Sequence, residues 1–287
     1  MLKIKILPRL VSGIIVLLLV ACNLTKEVDI DLPDYERQPV VECYLEPGQP
    51  FRLLLTQSYG FFDSFGLDSS FVKKTLLDSA QVTISHNGRT DTLHNGSFPD
   101  FSTPYIVKIF NYKNNQLVSA TPGVEYILHI TLANGKNIEA RATMLPKISI
   151  DSTIIEWDPL QDTVARVLSY FTDDPTTDNY YRRLLNYQRL KSLPDQDFLF
   201  ADRANVSSVI AFGTPYNLVK GDSVYNTIFN TAKDYYDYLE SIQLSVLGNA
   251  NPFTQPSTIK SNVSGTANPL GIFTCLVYDR EATPVQR

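Results

Sequence analysis

Short runs in which apolar and polar residues alternate, separated by turn-forming residues, recur through most of the chain. Gln81–His86 is one such run, and it leads through Asn87-Gly88 into a second run at residues 89–93. Asn-Gly between two alternating runs favours a tight hairpin, because both turn residues must accept a positive φ. The same dipeptide at Asn134-Gly135 also separates two alternating runs. The pattern therefore predicts paired β-strands.

The predicted fold class is mainly β. Residues 36–146 hold about seven short strand candidates, a spacing typical of a sandwich, and we predict an immunoglobulin-like β-sandwich there. Leu145-Pro146-Lys147 is interpreted as a domain boundary. Strand candidates continue beyond it, so residues 147–287 are predicted to form a second β-rich domain. Within it, the stretch around Tyr180–Arg189 is interpreted as a strand with one buried face.

One α-helix is predicted near residues 232–247 of the second domain. Thr231 is a suitable N-cap, with Asp234 three residues later as in a capping box, and Gly248 is a natural terminator. Apolar side chains recur at helical spacing: Tyr235, Tyr238, Leu239, Ile242 and Val246. Such a stripe is more typical of a face that packs on a core than of a ligand site.

The N-terminus has the three parts of a signal peptide. Three basic residues, the last of them Arg9, precede an apolar run at 10–20, which is too short to span a membrane. Leu19-Val20-Ala21-Cys22 resembles the bacterial lipobox at all four positions. We predict that residues 1–21 are a lipoprotein signal peptide and that Cys22 carries acyl chains that anchor the protein to a membrane. The alternative is an ordinary secretory signal followed by an incidental cysteine.

Charge limits the classes of partner. Without residues 1–21, the chain keeps 22 basic and 30 acidic residues, a net charge of −8. This acidity argues against nucleic acid and against electrostatic binding to anionic lipid. Residues 22–35 form an acidic tether, which could also act as a signal for export to the cell surface. We expect the outer membrane, on either its periplasmic or its outer face.

No catalytic constellation is found in the sequence. The three histidines, His86, His94 and His129, fall at no recognisable zinc spacing. His86 and His94 could face each other across a hairpin, and His129 is expected in the core. Two groups of carboxylates, at 173–178 and 195–202, match no calcium loop and are interpreted as solvated turn residues. There is no Gly-x-Ser-x-Gly elbow and no phosphate-binding glycine loop, so we predict no catalytic residue, metal or cofactor.

Two further features leave alternatives open. Cys43 and Cys275 could form a disulfide in an oxidising compartment or remain two separate buried thiols. An aromatic stretch with turn residues between its rings, Tyr59, Phe61, Phe62 and Phe65, could be an exposed loop that binds a ligand or partner. It could instead fold back and close one end of a sandwich.

Several stretches together resemble one family. They include 26–33 after Cys22, 122–126, Tyr235–Leu239, 251–253 and 261–265. Their order and spacing are similar to the outer-membrane lipoproteins known as domain of unknown function 4249. The resemblance implies a β-rich, lipid-anchored protein, often encoded beside a TonB-dependent receptor. The family often has glycine where Cys43 and Cys275 stand, a double departure that favours the disulfide.

The resemblance also implies bacteria that O-glycosylate exported proteins at Asp followed by Ser or Thr and then an apolar residue or Thr. Five tripeptides match this pattern, with hydroxyls at Ser79, Thr92, Ser152, Thr163 and Ser223. Because the pattern is short, ordinary strand-edge sequence is the alternative, and we expect only some of the five to be used.

Three functions follow as hypotheses. The first is a non-enzymatic binding or accessory module for a TonB-dependent receptor in nutrient uptake. The second is a structural or adhesive surface lipoprotein. The third, a hydrolase of surface polymers, requires a pocket with converging carboxylates or histidines. The sequence does not name a small-molecule or glycan ligand.

Overall fold

The computed structural model describes residues 35–60, 74–100, 108–190, 193–202, 208–249 and 258–287. These residues form one long helix, α1 (Lys233–Asn249), and fifteen strands. The strands are β1 (Pro39–Leu45), β2 (Pro50–Gln57), β3 (Gln81–His86), β4 (Arg89–Asp100), β5 (Lys108–Leu117), β6 (Glu125–Thr131), β7 (Asn137–Thr143), β8 (Ile150–Trp157), β9 (Ala165–Thr172), β10 (Asn179–Tyr187), β11 (Gln196–Asp202), β12 (Val209–Gly213), β13 (Ser223–Thr231), β14 (Leu270–Cys275) and β15 (Val277–Pro284).

Eight strands form one sheet in the order β14-β1-β2-β5-β4-β3-β6-β7. All neighbours in it are antiparallel except β1 and β14, which run parallel with Val41 opposite Gly271. The two ends of the sheet are bridged by residues 261–268. Glu139 on β7 exchanges main-chain hydrogen bonds with Ser264 at 2.8 and 2.9 Å, and Asn262 bonds to Phe273 on β14. The sheet is therefore a nearly closed barrel.

The barrel interior follows from the alternation in the sequence. In β1 every second residue, starting at Pro39, is buried, and β2 and β6 show the same period of two. The buried side chains meet in one apolar core, whose large members include Phe51, Leu53, Tyr112, Tyr126, Leu128 and Phe273. Alternate residues of a strand point to opposite faces, so one face of each strand fills the barrel.

The immunoglobulin-like sandwich predicted for 36–146 is not confirmed. The seven strands β1–β7 lie in a single sheet, and β14, some 230 positions away from β1 in sequence, completes it. Periodicity in sequence identifies the buried face of each strand, but not which distant strand pairs with the edge. Because β14 belongs to the C-terminal half, the first set of strands is not complete before the predicted boundary at 146.

The remaining strands form two smaller sheets, β11-β10-β13-β15 and β12-β9-β8. Their inner faces pack on each other through two apolar clusters. In one of them the ring of Phe171 on β9 lies 5.1 Å from Tyr181 on β10 and 5.6 Å from Phe212 on β12. Side chains from both sheets therefore form a second core, separate from the barrel interior.

The helix α1 lies close to its predicted position and packs on the outside of the barrel. Tyr235 and Tyr238 are buried in a cluster with Ile272 of β14. Arg182 of β10 donates to the Tyr235 hydroxyl at 2.7 Å, which ties the helix to the second region. The predicted apolar stripe does not continue to its end, because Val246 is 64% exposed. Among the described residues, no helix combines the length and apolarity needed to cross a membrane.

Candidate functional site

The direction of the barrel strands places several connections at one end. The chain enters at Arg37 immediately before β1, and the β2–β3, β4–β5 and β6–β7 connections lie at the same end, because β2, β4 and β6 run antiparallel to β1. We name it the tether end, since residues 22–35 precede it. Loops at one end of a rigid barrel are favourable positions for binding residues. The predicted aromatic segment belongs to the β2–β3 connection.

Tyr59 is the one predicted aromatic residue of this segment that is described; Phe61, Phe62 and Phe65 lie outside the described residues. The Arg37 guanidinium carbon lies 4.8 Å from the centroid of the Tyr59 ring, within the range of a cation–π contact. The Tyr59 hydroxyl lies 3.2 Å from that of Thr75, on the returning side of the connection. Tyr59 therefore joins the entry of the chain to both stems of the aromatic segment.

The returning stem is held by a buried amide, Asn111 on β5. Its Oδ1 accepts from the Leu55 N–H at 2.8 Å, and its Nδ2 donates to the Leu55 carbonyl at 2.9 Å. The same Nδ2 lies 3.3 Å from the Leu77 carbonyl and 3.1 Å from Oδ1 of Asp78. Asn111 is fully buried, so these bonds stabilise a fixed path for the chain after the segment.

Tyr112 adds a second anchor inside the barrel. Its hydroxyl donates to the Leu77 carbonyl at 2.8 Å and accepts from the Ala80 N–H at 2.9 Å. Burial raises the pKa of the Tyr112 phenol, although the bond from Ala80 opposes the shift. A phenol that stays protonated at neutral pH can make both bonds at once. The stem from Leu76 to Ala80 is thus fixed from two neighbouring positions of β5.

A hollow of about 340 Å³ opens beside this stem at the tether end. It lies between residues 76–80 and the β6–β7 turn at Leu132–Asn134. Its walls are mainly apolar, with Asp78 and Asn134 as polar members. The volume is at the lower limit of small-molecule sites, and a few polar groups in an apolar wall are typical of them. The stem at residues 76–80, which Asn111 and Tyr112 hold in place, therefore both borders the hollow and follows the aromatic segment.

The opposite end of the barrel has a larger and more polar hollow of about 700 Å³, bordered by His86, Arg89 and Glu125. His86 Nε2 lies 2.9 Å from Oδ2 of Asp91, which is 6% exposed and also contacts Arg89. The His86 ring stacks on Tyr126 at 5.0 Å. In the described part of the chain, no hydroxyl or thiol bonds to His86, so this pair lacks the nucleophile of an acyl-transfer site.

The structure excludes the possibility that His86 and His94 face each other, and the expectation that His129 lies in the core is wrong. The β3–β4 register pairs His86 with Arg89 and Val82 with Leu93, so His94 lies at the other end of the hairpin from His86 and the two cannot share a ligand. His129 points away from the core: its side chain is 43% exposed and lies 3.3 Å from Glu139. Among the described residues, no cluster of His, Cys, Asp or Glu could hold a metal ion.

The two carboxylate groups of the second region, interpreted as solvated turn residues, meet in space through one member of each. Asp173, after β9, is only 4% exposed and accepts a hydrogen bond from the Tyr181 hydroxyl. Burial raises the pKa of Asp173, and the neighbouring Asp202 at the end of β11 raises it further. Asp174 and Asp178 are exposed as expected, but Asp197 and Asp202 lie in β11 rather than in a turn, so the interpretation is wrong for Asp173, Asp197 and Asp202.

The remaining predicted residues are placed as follows. Cys22 lies outside the described residues. Cys43 and Cys275 are buried thiols of the barrel core. Four of the five predicted glycosylation sites are exposed, and the fifth, Ser223, is half-buried within β13. The exposure of these four hydroxyls is compatible with glycosylation, which stays a prediction.

Sequence reasoning missed Asn111 and Arg183. Asn111 is a polar residue between two buried aromatic residues of β5. In an alternating strand, such a residue is easily taken for one that points to solvent. Arg183 falls on the predicted buried face of its strand, since it alternates with Tyr181 and Leu185. A charged residue on a buried face is an available sequence signal, because charges are rarely buried without a role.

Comparison with known proteins gives one match. A family model described as a domain of unknown function, DUF4249, matches residues 25–281. This range contains the whole barrel, α1 and the strands of the two smaller sheets, except the last residues of β15. No curated protein matches the chain.

Proposed function

The chain belongs to the DUF4249 family, and from this membership we propose that it is a lipid-anchored outer-membrane protein that binds a partner without catalysing a reaction. The partner we propose is a TonB-dependent receptor, with which the lipoprotein acts as an accessory module in nutrient uptake. The anchor is Cys22, at the end of the lipobox-like sequence. The proposed binding surface is the tether end of the barrel.

One observation carries this proposal: the entry of the chain and the aromatic segment are joined at the same end of the barrel. Arg37 lies against Tyr59, and the Gln38 N–H donates to the Ser58 hydroxyl at 2.8 Å. Arg37 follows Cys22 by only 15 positions, and a fully extended chain of that length spans at most about 50 Å. The aromatic segment therefore starts within reach of the membrane surface, where a membrane-embedded receptor presents its loops.

The rigidity of the support also favours binding. Asn111 and Tyr112 fix the returning stem at Leu77 and Asp78, so this stem does not have to be ordered when a partner binds. Ordering flexible chain on binding costs free energy, and a fixed stem reduces that cost. Aromatic side chains supply large contact area at low entropic cost and are enriched in protein interfaces.

The test is co-purification of the tagged, lipidated protein from its own host in mild detergent. We expect a TonB-dependent receptor in stoichiometric amount. A variant with serine at Phe61, Phe62 and Phe65 should lose the receptor. The matched control is Leu117→Ser, which changes an exposed apolar residue at the end of β5, on the opposite end of the barrel.

Three outcomes of this experiment distinguish the proposed function from its alternatives. Loss of the receptor in the triple variant but not in Leu117→Ser supports the proposal. A receptor that stays bound to both variants would move the binding surface away from the aromatic segment. A wild-type protein that is intact and membrane-bound but has no stoichiometric partner would contradict the accessory role and favour an adhesive one. Cys22→Ser should move the protein out of the membrane fraction.

A further inference from the structure

The core between the two smaller sheets contains a buried guanidinium, Arg183 of β10. It is 4% exposed and lies between the two apolar clusters of that core. Its Cζ is 5.3 Å from the centroid of the Phe212 ring on the facing sheet. An arginine in such a position keeps its charge, because guanidinium is not deprotonated in proteins at neutral pH.

The hydrogen bonds of Arg183 leave one edge of the guanidinium without an acceptor. Nε donates to Oδ1 of Asn226 at 2.8 Å, and Nη1 lies 3.4 Å from the Gly213 carbonyl. Nη2 is buried and has no hydrogen-bond partner among the described residues. Both acceptors that Arg183 does have are neutral, so neither balances its charge.

Asn226 points a second donor into the same place. It lies on β13, where it is paired with Leu185 and is therefore a diagonal neighbour of Arg183. Because Nε can only donate, the amide oxygen must face it, and this fixes Nδ2 as a donor on the adjoining side. Asn226 is 1% exposed, and its Nδ2 has no partner among the described residues. Two buried donors and one positive charge thus converge without an acceptor.

No described carboxylate compensates for this charge. Burial lowers the pKa of Arg183 to about 10, and the one titratable group that opposes this shift is the Tyr187 phenol. Burial raises the pKa of Tyr187 in turn, so the phenol is neutral at pH 7. A buried charge without a partner is strongly unfavourable.

We propose that Arg183 Nη2 and Asn226 Nδ2 bind a small monovalent anion of chloride size between the two sheets. Both unpartnered atoms, Arg183 Nη2 and Asn226 Nδ2, are donors beside a positive charge, which favours an anion over a cation. Protein interiors contain few voids larger than a water molecule, so a larger anion would not fit between the packed sheets. A water molecule could accept from both donors but would leave the charge unbalanced. The anion completes the core of the second region and is released when that region unfolds.

The test measures unfolding of the mature, lipidated protein in detergent while chloride replaces gluconate at constant sodium concentration. Gluconate is too large for the position. One ion bound to the folded state alone predicts a response of fixed slope: above the dissociation constant, each tenfold rise in free chloride lowers the unfolding equilibrium constant tenfold. Crystals grown in bromide should show an anomalous peak between Arg183 and Asn226.

The matched variant is Asn226→Asp, which has nearly the same shape and supplies a carboxylate to Arg183 in a two-bonded arrangement. It should unfold at a higher temperature than wild type at low chloride and should lose both the chloride response and the bromide peak. Arg183→Met should also lose the response, and Asn226→Asp remains informative if that variant fails to fold. A wild type without this one-ion slope, or an Asn226→Asp variant that keeps it, would overturn the proposal.

Discussion

The side-chain amide of Asn262 pairs with the main chain of Phe273 in both directions: the Phe273 N–H donates to Oδ1 at 2.9 Å, and Nδ2 donates to the Phe273 carbonyl at 2.8 Å. One side chain thus takes the place of a neighbouring strand along β14. On the other side of the same segment, Ser264 pairs with Glu139 of β7. The barrel is closed by a loop that bonds to both edges of the sheet.

Replacing Asn262 by alanine should therefore destabilise the protein. The Phe273 N–H and carbonyl would lose their partners in a fully buried residue, and each such loss costs about 1–3 kcal/mol. We expect a decrease of roughly 2–4 kcal/mol in the free energy of unfolding, measured by urea denaturation. Asn115→Ala, at an exposed position of β5, should change it by less than about 0.5 kcal/mol. Equal effects of the two variants would contradict the role of Asn262 in closure.

Gly271 should tolerate no side chain, because it lies opposite Val41 in the parallel pair. It has φ +123°, and a Cβ built there would lie 1.9 Å from the Val41 carbonyl oxygen. Gly271→Ala must push β14 from β1, so we expect failure to fold or a loss of more than about 4 kcal/mol. Gly135→Ala is the control: its φ is +80°, but no atom lies within 4 Å of the added Cβ. It should cost about 1 kcal/mol of conformational strain. Thermal unfolding followed by circular dichroism compares the stability of the two variants, and equal losses would contradict the role of Gly271.

Asn262 and Gly271 show why the fold could be predicted from the sequence only in part. The β3–β4 hairpin follows from local chemistry: Asn87 and Gly88 both have positive φ, at 48° and 71°, as the Asn-Gly signal requires. The pairing of β1 with β14 depends on contacts between distant segments, which periodicity does not specify. From the sequence alone, Gly271 would be expected to weaken its strand. The structure shows that the backbone of Val41 occupies the space that a side chain at this position would need.

The candidate site could likewise be predicted from the sequence only in part. The sequence identified the aromatic segment at Tyr59 from composition, but its support by Asn111 exists only in three dimensions. The pair Asp173 and Asp202 comes from two separate carboxylate groups, so no local pattern links them. Arg183 could have been noticed, because the alternation of β10 already places it on the buried face.

Asp173 should make the stability of the protein depend on pH. Its pKa is raised in the folded state by burial and by Asp202, so the folded protein holds this proton more tightly than the unfolded chain. The associated stability is present below the unfolded pKa and is lost as the pH rises through the raised folded pKa. Asp173→Asn removes the ionisation, while its amide still accepts a bond from Tyr181. We expect this variant to be more stable than wild type at pH 7, with the difference shrinking toward pH 3.

The neighbouring Asp174 is the control for this effect. Its side chain is exposed and accepts bonds from the hydroxyl and N–H of Thr176, which lower its pKa. Asp174→Asn should therefore change stability in the opposite direction, with a small loss at pH 7 that disappears as the pH falls through the lowered pKa. Urea denaturation at several pH values measures both variants. A stabilised Asp174→Asn, or a destabilised Asp173→Asn at pH 7, would show that the assigned causes are wrong.

Cys43 and Cys275 provide the last prediction, on the alternative that the sequence left open. In the parallel register Cys43 is opposite Phe273 and Cys275 is opposite Leu45, so the two cysteines are diagonal neighbours inside the barrel. Diagonal neighbours in a sheet have Cα atoms about 7–8 Å apart, whereas disulfides usually need about 4.4–6.8 Å. A disulfide would therefore require movement of β1 against β14, and we expect two thiols.

Burial should also make these thiols unreactive in the folded protein. It raises the pKa of Cys275 to about 12 and that of Cys43 further, and only the thiolate is nucleophilic. Without a reducing agent, iodoacetamide should label neither cysteine in buffer and both in concentrated urea, as read by mass spectrometry. If urea without reductant exposes no reactive thiol, but urea with reductant exposes two, then the disulfide exists and the strands must shift to form it. Labelling of the folded protein would instead show that the barrel opens near β14, the edge that Asn262 closes.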